Sequence, residues 1–318
     1  MANISLSFYS LSFRNKETNE DLILNPNHGE NIFNNILEMF RNQYSNEYDN
    51  NENLERLFKI ENFTDELYEE NGQPLFRQII CKVKSGKYGI ESEIVNSQTG
   101  EVTYRRTETD ADVMPFYFAI GIPVNETNRA LVVFQNNGIY GIKTVFTNAM
   151  KTICVENGNT YCCDVRNIIP REYINRFLEN GILKKIRFIR YNIPNDRAER
   201  MGLNLGVNGE NMPYEEYVVH RPLGFMDRNR RRIGEFVDGQ RGINRVVEME
   251  GFEYNNIKLE FKLGGKSKTL DLSGLDKVVV SEDITNEVDT IGGHPTEHSI
   301  LPVISENLKI YLEGMGII

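Results

Sequence analysis

Pro115-Phe-Tyr-Phe-Ala-Ile-Gly-Ile-Pro123 and Ala130-Leu-Val-Val-Phe134 decide the reading of the fold. Both runs are apolar almost without interruption, the pattern of central strands covered on both faces. The polar segment from Pro123 to Arg129 is long enough for a hairpin loop, so the two runs are expected to pair as neighbours. Working outward, residues 75–104 read as β, with Ile79, Ile80, Val83 and the stretch Tyr88 to Val95 as strand residues. Ser85-Gly86 and Gln98-Thr99-Gly100 look like hairpin turns. Residues 3–13 alternate apolar with small polar side chains, the period of a half-buried strand. Ile32, Ile36, Leu37 and Phe40 recur at helical spacing and predict a helix over 30–43. The acidic, asparagine-rich residues 42–53 read as a loop or a frayed helix end. Gly138-Ile-Tyr-Gly-Ile-Lys143 leads into a helix through Met150.

The second half is punctuated differently. Pro170 at a first helical position, Ile174 and Leu178, then Asn180-Gly181, mark a short helix. Residues 183–193 form a strand with alternating basic side chains. After a loop over 202–213, strands are expected at 214–220, 244–250, 256–263 and 268–272. A last helix is expected over 301–313. The expected class is therefore α+β, mainly β-sheet with a few packed helices, in two closely packed subdomains. The length of 318 residues also suggests about two domains, placed at 1–155 and 156–318.

Composition narrows the function classes. A net charge of -10 excludes a surface that is basic throughout, so any anionic partner must meet a local patch. The start, Met1-Ala-Asn-Ile-Ser-Leu-Ser-Phe8, has no basic segment or small-residue cleavage site and does not read as a signal peptide. No apolar stretch approaches the roughly 20 residues that span a bilayer. Four cysteines are too few for a disulfide scaffold in a chain this long. A cytoplasmic protein that does not engage membranes is expected.

The motifs that would carry catalysis fail on context. No phosphate-binding loop or dinucleotide fingerprint is present, and Gly264-Gly265-Lys266-Ser267 sits between two alternating strands where a hairpin turn is expected. Cys81, Cys154, Cys162 and Cys163 lack the paired spacing of a zinc site and read as buried apolar residues. His294-Pro-Thr-Glu-His298 matches H-x-x-E-H, but Pro295 inside it and Pro302 after it favour a loop leading into a helix. Glu260 and Lys262 form E-x-K on a strand. With Asp238 upstream they could hold a divalent cation as in metal-dependent nucleases. The simpler reading puts both on the solvent face while Leu259, Phe261 and Leu263 face the core. No metal or cofactor is expected.

The basic segments are more distinctive. Arg221, Arg228, Arg230, Arg231, Arg232, Arg241 and Arg245 fall within 221–245, against Asp227, Glu235 and Asp238. The planar guanidinium fork suits bidentate contact with phosphate. Gly234, Gly239 and Gly242 would permit close backbone approach. Lys184, Lys185, Arg187 and Arg190 lie on the preceding strand, interleaved with Phe188 and Tyr191. The alternative is a solvated loop whose arginines pair with acidic residues of the same chain.

The block Pro115 to Pro123, continued through Ala130-Leu-Val-Val-Phe-Gln-Asn-Asn-Gly-Ile-Tyr-Gly-Ile-Lys-Thr144, resembles a segment of uncharacterised bacterial proteins of antiphage defence loci. It covers residues 115–147 and carries no functional residue to transfer. The resemblance implies a context, host defence as an effector, a sensor or a subunit. The leading expectation is a non-enzymatic defence protein that binds DNA, RNA or a phage-derived partner through the arginines. The alternatives are an E-x-K nuclease, and an adaptor or sensor subunit of a defence complex, with homo-oligomerisation open to it.

Overall fold

The structure is a computed structural model. It describes every residue except 1–2, 25–30, 126, 157, 159, 169–170, 192, 194, 204–212, 238–239, 264–265, 274–279 and 315–317. The fold is α+β and mainly β, as expected. The chain divides into two compact units, Met1–Ile168 with Val279–Ile318, and Ile169–Val278. This division differs from the expected 1–155 and 156–318, because the last forty residues return to the first unit.

The first unit is built on an antiparallel sheet. The strands β1 (Ile4–Asn15), β2 (Asp49–Asn51), β3 (Arg56–Glu70), β4 (Gln73–Lys87), β7 (Asp112–Pro123), β8 (Ala130–Asn137) and β14 (Val280–Asp283) run in the order β14-β1-β8-β7-β4-β3-β2. The edge of β1 is shared. Its first half pairs with β14, and its second half pairs with β9 (Tyr161–Asn167). The hairpin anticipated from the apolar runs is present, with Phe118 opposite Phe134 and Ile120 opposite Val132. A small hairpin of β5 (Ser92–Val95) and β6 (Val102–Arg106) stands apart from this sheet.

Both faces of the central strands are covered. On one face lie α1 (Ile32–Ser45) and α2 (Lys143–Glu156). Helix α1 begins where the Asn31 side chain accepts the Phe33 N–H at 2.9 Å, a side-chain cap for an otherwise unpaired donor. Its buried residues Phe33, Ile36, Leu37, Phe40 and Tyr44 recur at helical spacing. Phe40 is the centre of this core. Its ring lies 6.2 Å from Phe58, 6.1 Å from Phe118 and 5.8 Å from Phe146, in tilted and edge-on arrangements. On the other face lies α6 (Glu297–Gly314), which buries Ile300, Ile304, Leu308, Tyr311 and Leu312. Tyr311 stacks on Phe8 at 3.8 Å, and Leu308 reaches within 3.1 Å of where a side chain at Gly121 would start.

Several local expectations are corrected. Residues 42–53 are not simply a loop, since β2 and a single 3-10 turn (Glu52–Leu54) lie there. Ser85-Gly86 is not a turn. Strand β4 runs straight through it, and Gly86 is needed because a Cβ there would meet the Asp112 carbonyl oxygen at 2.3 Å. Strand β3 was not anticipated. Residues 244–250 hold a 3-10 turn (Ile243–Arg245) rather than a strand. The last helix starts four residues early and keeps Pro302 inside it, which leaves the His298 carbonyl without its i+4 N–H donor.

The second unit has a four-stranded antiparallel sheet in the order β11-β10-β12-β13, from β10 (Ile182–Arg190), β11 (Glu215–His220), β12 (Asn256–Leu263) and β13 (Lys266–Asp271). It also contains α3 (Arg171–Asn180), α4 (Asn195–Arg200) and α5 (Phe225–Val237). Ile186, Phe188, Ile257, Leu259, Phe261 and Leu270 are buried, and with Ile174 and Leu178 of α3 they form the apolar side of this unit. No helix among the described residues is long and apolar enough to cross a membrane.

Phe40→Ala should destabilise the protein by about 3–5 kcal/mol, the usual cost of emptying a close-packed aromatic site. Urea unfolding of the variant, followed by circular dichroism, measures it.

Candidate nucleic-acid interface

Four of the seven arginines of the 221–245 segment lie on one helix. Helix α5 forms because Ile233 is buried and Phe225, Met226, Asn229, Phe236 and Val237 are half-buried along one side. Its opposite side is left to Asp227, Arg228, Arg230, Arg231 and Arg232, all exposed. Arg228, Arg231 and Arg232 are spaced i, i+3, i+4 and so share one stripe. Gly234 is a helical residue here, not a point of close backbone approach. Asp238 and Gly239 lie outside the described residues.

The ion pairs sort the basic residues into two groups. In the first group the charge is already answered. Lys185 Nζ meets Glu260 at 3.0 Å, Arg187 pairs with Glu216, and Arg190 lies 3.5 Å from Glu215. Arg190 also donates from Nε to the Glu253 carbonyl at 2.6 Å and covers the Phe252 ring at 4.6 Å. Arg241 meets Glu235 at 2.6 Å and donates to the Arg245 carbonyl at 3.0 Å. The expected basic stripe on β10 is therefore mostly a set of cross-strand pairs, in which Glu216 and Glu260 come from its two neighbouring strands.

In the second group the charge is unspent. Lys184, Arg221, Arg228, Arg230, Arg232 and Arg245 are exposed and have no ion pair among the described residues. Arg231 reaches Glu235 at 2.9 Å, but its side chain is 91% exposed, where such an i, i+4 pair binds weakly. Lys184 and Arg221 are held together by the backbone, since the Arg221 N–H donates to the Lys184 carbonyl at 2.9 Å. Arg221 sits at φ 49°, and the turn it opens carries a 96% exposed Leu223 into α5.

Charge is unevenly divided between the two units. Residues 169–278 carry 20 Lys and Arg against 16 Asp and Glu, a net +4. The rest of the chain carries 16 against 30, a net -14.

The other sequence candidates are placed as follows. Glu260 pairs with Lys185, Lys262 is exposed opposite Ile182, and Leu259 and Phe261 are buried, as the amphipathic-strand reading expected. Among the described residues no three His, Cys, Asp or Glu side chains are grouped to hold a metal ion. Leu263 of β12 pairs with Lys266 of β13, and Gly264 and Gly265 between them lie outside the described residues. In the H-x-x-E-H stretch His294 belongs to a two-residue strand, β16 (His294–Pro295), paired with β15 (Thr290–Ile291), and only Glu297 and His298 are helical. All four cysteines are free thiols. Burial pushes the Cys81 and Cys163 thiols far up and the Cys154 thiol up to about 11, so none of these three is a ready nucleophile. Compared with models of known families and with curated proteins, the chain matches none.

Arg241 and Arg231 hold the Glu235 carboxyl below its ordinary 4.5. A depressed carboxyl stabilises the fold above its unfolded pKa and loses that contribution as pH falls through the folded value. The difference in thermal midpoint between the wild type and Glu235→Gln should therefore be present at neutral pH and shrink to nothing as pH drops below 4.5. A pH series of melting curves for both proteins checks this.

Proposed function

We propose that the chain binds nucleic acid through the exposed arginine face of α5, with Lys184, Arg221 and Arg245 as flanking contacts. One observation carries the reading. In a chain of net charge -10, a unit of net +4 presents exposed arginines of which, among the described residues, Arg228, Arg230 and Arg232 meet no carboxylate and Arg231 meets only Glu235, in an exposed pair. Such a surface attracts a polyanion and gains by releasing its condensed counterions. Arginine forks on one helix face are suited to phosphate oxygens rather than to base edges, so backbone contact with little sequence preference follows. The resemblance of the β7–β8 segment supports a setting in cytoplasmic antiphage defence, where the nucleic acid would be phage-derived.

The test is a salt titration of binding to DNA and RNA duplexes and single strands. About six phosphate contacts, three from the α5 stripe and three flanking it, predict a slope of log affinity against log salt of roughly -5 on duplex DNA. Reversing Arg228, Arg231 and Arg232 together to Glu should make the slope shallower by roughly 3 and weaken binding by at least about 100-fold. Unchanged affinity and slope in that variant would refute the reading.

A further inference from the structure

We propose that Arg56, Lys87 and Lys143 form a binding site for a small phosphate-bearing molecule of nucleotide size. The three cations line a cleft of about 530 Å³ in the first unit, where β3, β4 and the start of α2 meet. That volume lies within the usual range of small-molecule sites. Leu54, Asn136 and Tyr140 line the remaining walls, and among the described residues no carboxylate does. This is unexpected in the unit that carries 30 acidic residues against 16 basic ones.

The strand register makes the clustering costly. Arg56 and Lys87 are paired directly opposite each other on β3 and β4, so both side chains project from the same face about 5 Å apart at Cβ. Like charges so placed destabilise a sheet. Asp112 lies opposite Lys87 on its other side but makes no ion pair with it.

Among the described residues none of the three finds a counter-ion. Arg56 spends one of its five donors, from Nη1 to the Gly141 carbonyl at 2.9 Å, and its Nε is buried without a partner. Lys143 rests its ammonium 4.0 Å above the Tyr9 ring. The Lys87 carbonyl accepts from Arg106, but its ammonium has no partner among the described residues. Desolvation lowers the pKa of Arg56 and of Lys143, the direction expected of cations held away from water without an opposing charge.

A second cleft in the same unit shows the opposite arrangement. There Lys84 meets Glu61 at 2.6 Å, and Lys82 meets Glu61 at 3.5 Å and Glu297 at 4.0 Å. Those charges balance and call for no ligand.

The lip of the basic cleft indicates what accompanies the phosphate. Gly138 at φ 60° opens a tight turn in which Asn137 and Tyr140 exchange backbone hydrogen bonds at 2.9 and 3.0 Å. That turn leaves Ile139 93% and Tyr140 48% exposed beside the cations. A Cβ at Gly141 would crowd the side-chain oxygen of Asn136 beside them. An apolar, aromatic lip beside a cationic floor fits a nucleotide, with the phosphates on the cations and the base against Tyr140.

The test measures binding of ATP, AMP and inorganic phosphate by titration calorimetry and by thermal shift at low salt. Wild type should bind all three, with ATP at least about 10-fold tighter than inorganic phosphate. Lys87→Glu removes an exposed side chain with no partner. It should cut ATP affinity by at least about 10-fold while leaving the ligand-free Tm unchanged or higher, since the like-charge pair is relieved. Lys143→Met, which keeps a side chain over Tyr9, should weaken ATP comparably. The α5 triple variant should bind ATP like the wild type, which separates this site from the nucleic-acid face. Absence of any shift at millimolar ligand, or undiminished ATP binding in both cleft variants, would overturn the site. Equal affinity for ATP and inorganic phosphate would overturn its nucleotide character.

Discussion

The need to cover the central strands on both faces organises the first unit. Phe118, Ile120, Val132 and Phe134 are buried against α1 and α2, while Leu131, Val133 and Phe8 lie in neighbouring strands whose other face needs a cover. Side chains alternate across a sheet, so two nearly continuous apolar strands cannot leave either face to water. The cover for the second face is α6, from the far end of the chain, brought in beside β1 by β14. The return of residues 279–318 follows from that constraint. The unit 169–278 is consequently an insertion between β9 and β14 of the first unit.

Electrostatics distinguishes ordinary from exceptional cations. On β10 each of Lys185, Arg187 and Arg190 has a glutamate supplied by an adjacent strand, and those pairs balance their charge within the sheet. The α5 arginines have no neighbouring strand to answer them. They face solvent because the helix spends its apolar side on Ile233 and its flanks. In the first unit the Arg56–Lys87 pair is the reverse case, cations forced together by register in an acidic setting. Surface ion pairs contribute little each. The proposed contacts therefore rest on the unanswered charges rather than on the paired ones.

Much of this was legible in the sequence. The β7–β8 hairpin, α1, α2, α3 and strands β10 to β13 follow from apolar periodicity and from turn residues, and the clustering of arginines singled out α5. Other features depend on partners distant in sequence. Strand β3 leaves little trace in the sequence because only Phe58 and Ile60 are buried, and its outer half is charged and exposed. Ser85-Gly86 has the composition of a turn, yet its glycine serves a close strand approach. Residues 244–250 carry two valines, of which only Val246 is buried, too little for a strand. The pairing of β10 cations and the opposition of Arg56 to Lys87 are matters of register, which periodicity within one segment does not specify.

The central claim is that nucleic acid is held by the answerless arginines of the inserted unit. The most direct measurement is photo-crosslinking of the whole protein to a labelled oligonucleotide, followed by mass spectrometry of the crosslinked peptides. Crosslinks confined to peptides spanning 221–245 and Lys184 are the predicted result. Crosslinks that fall on the first unit alone, or on the paired strand β10 without α5, would contradict it.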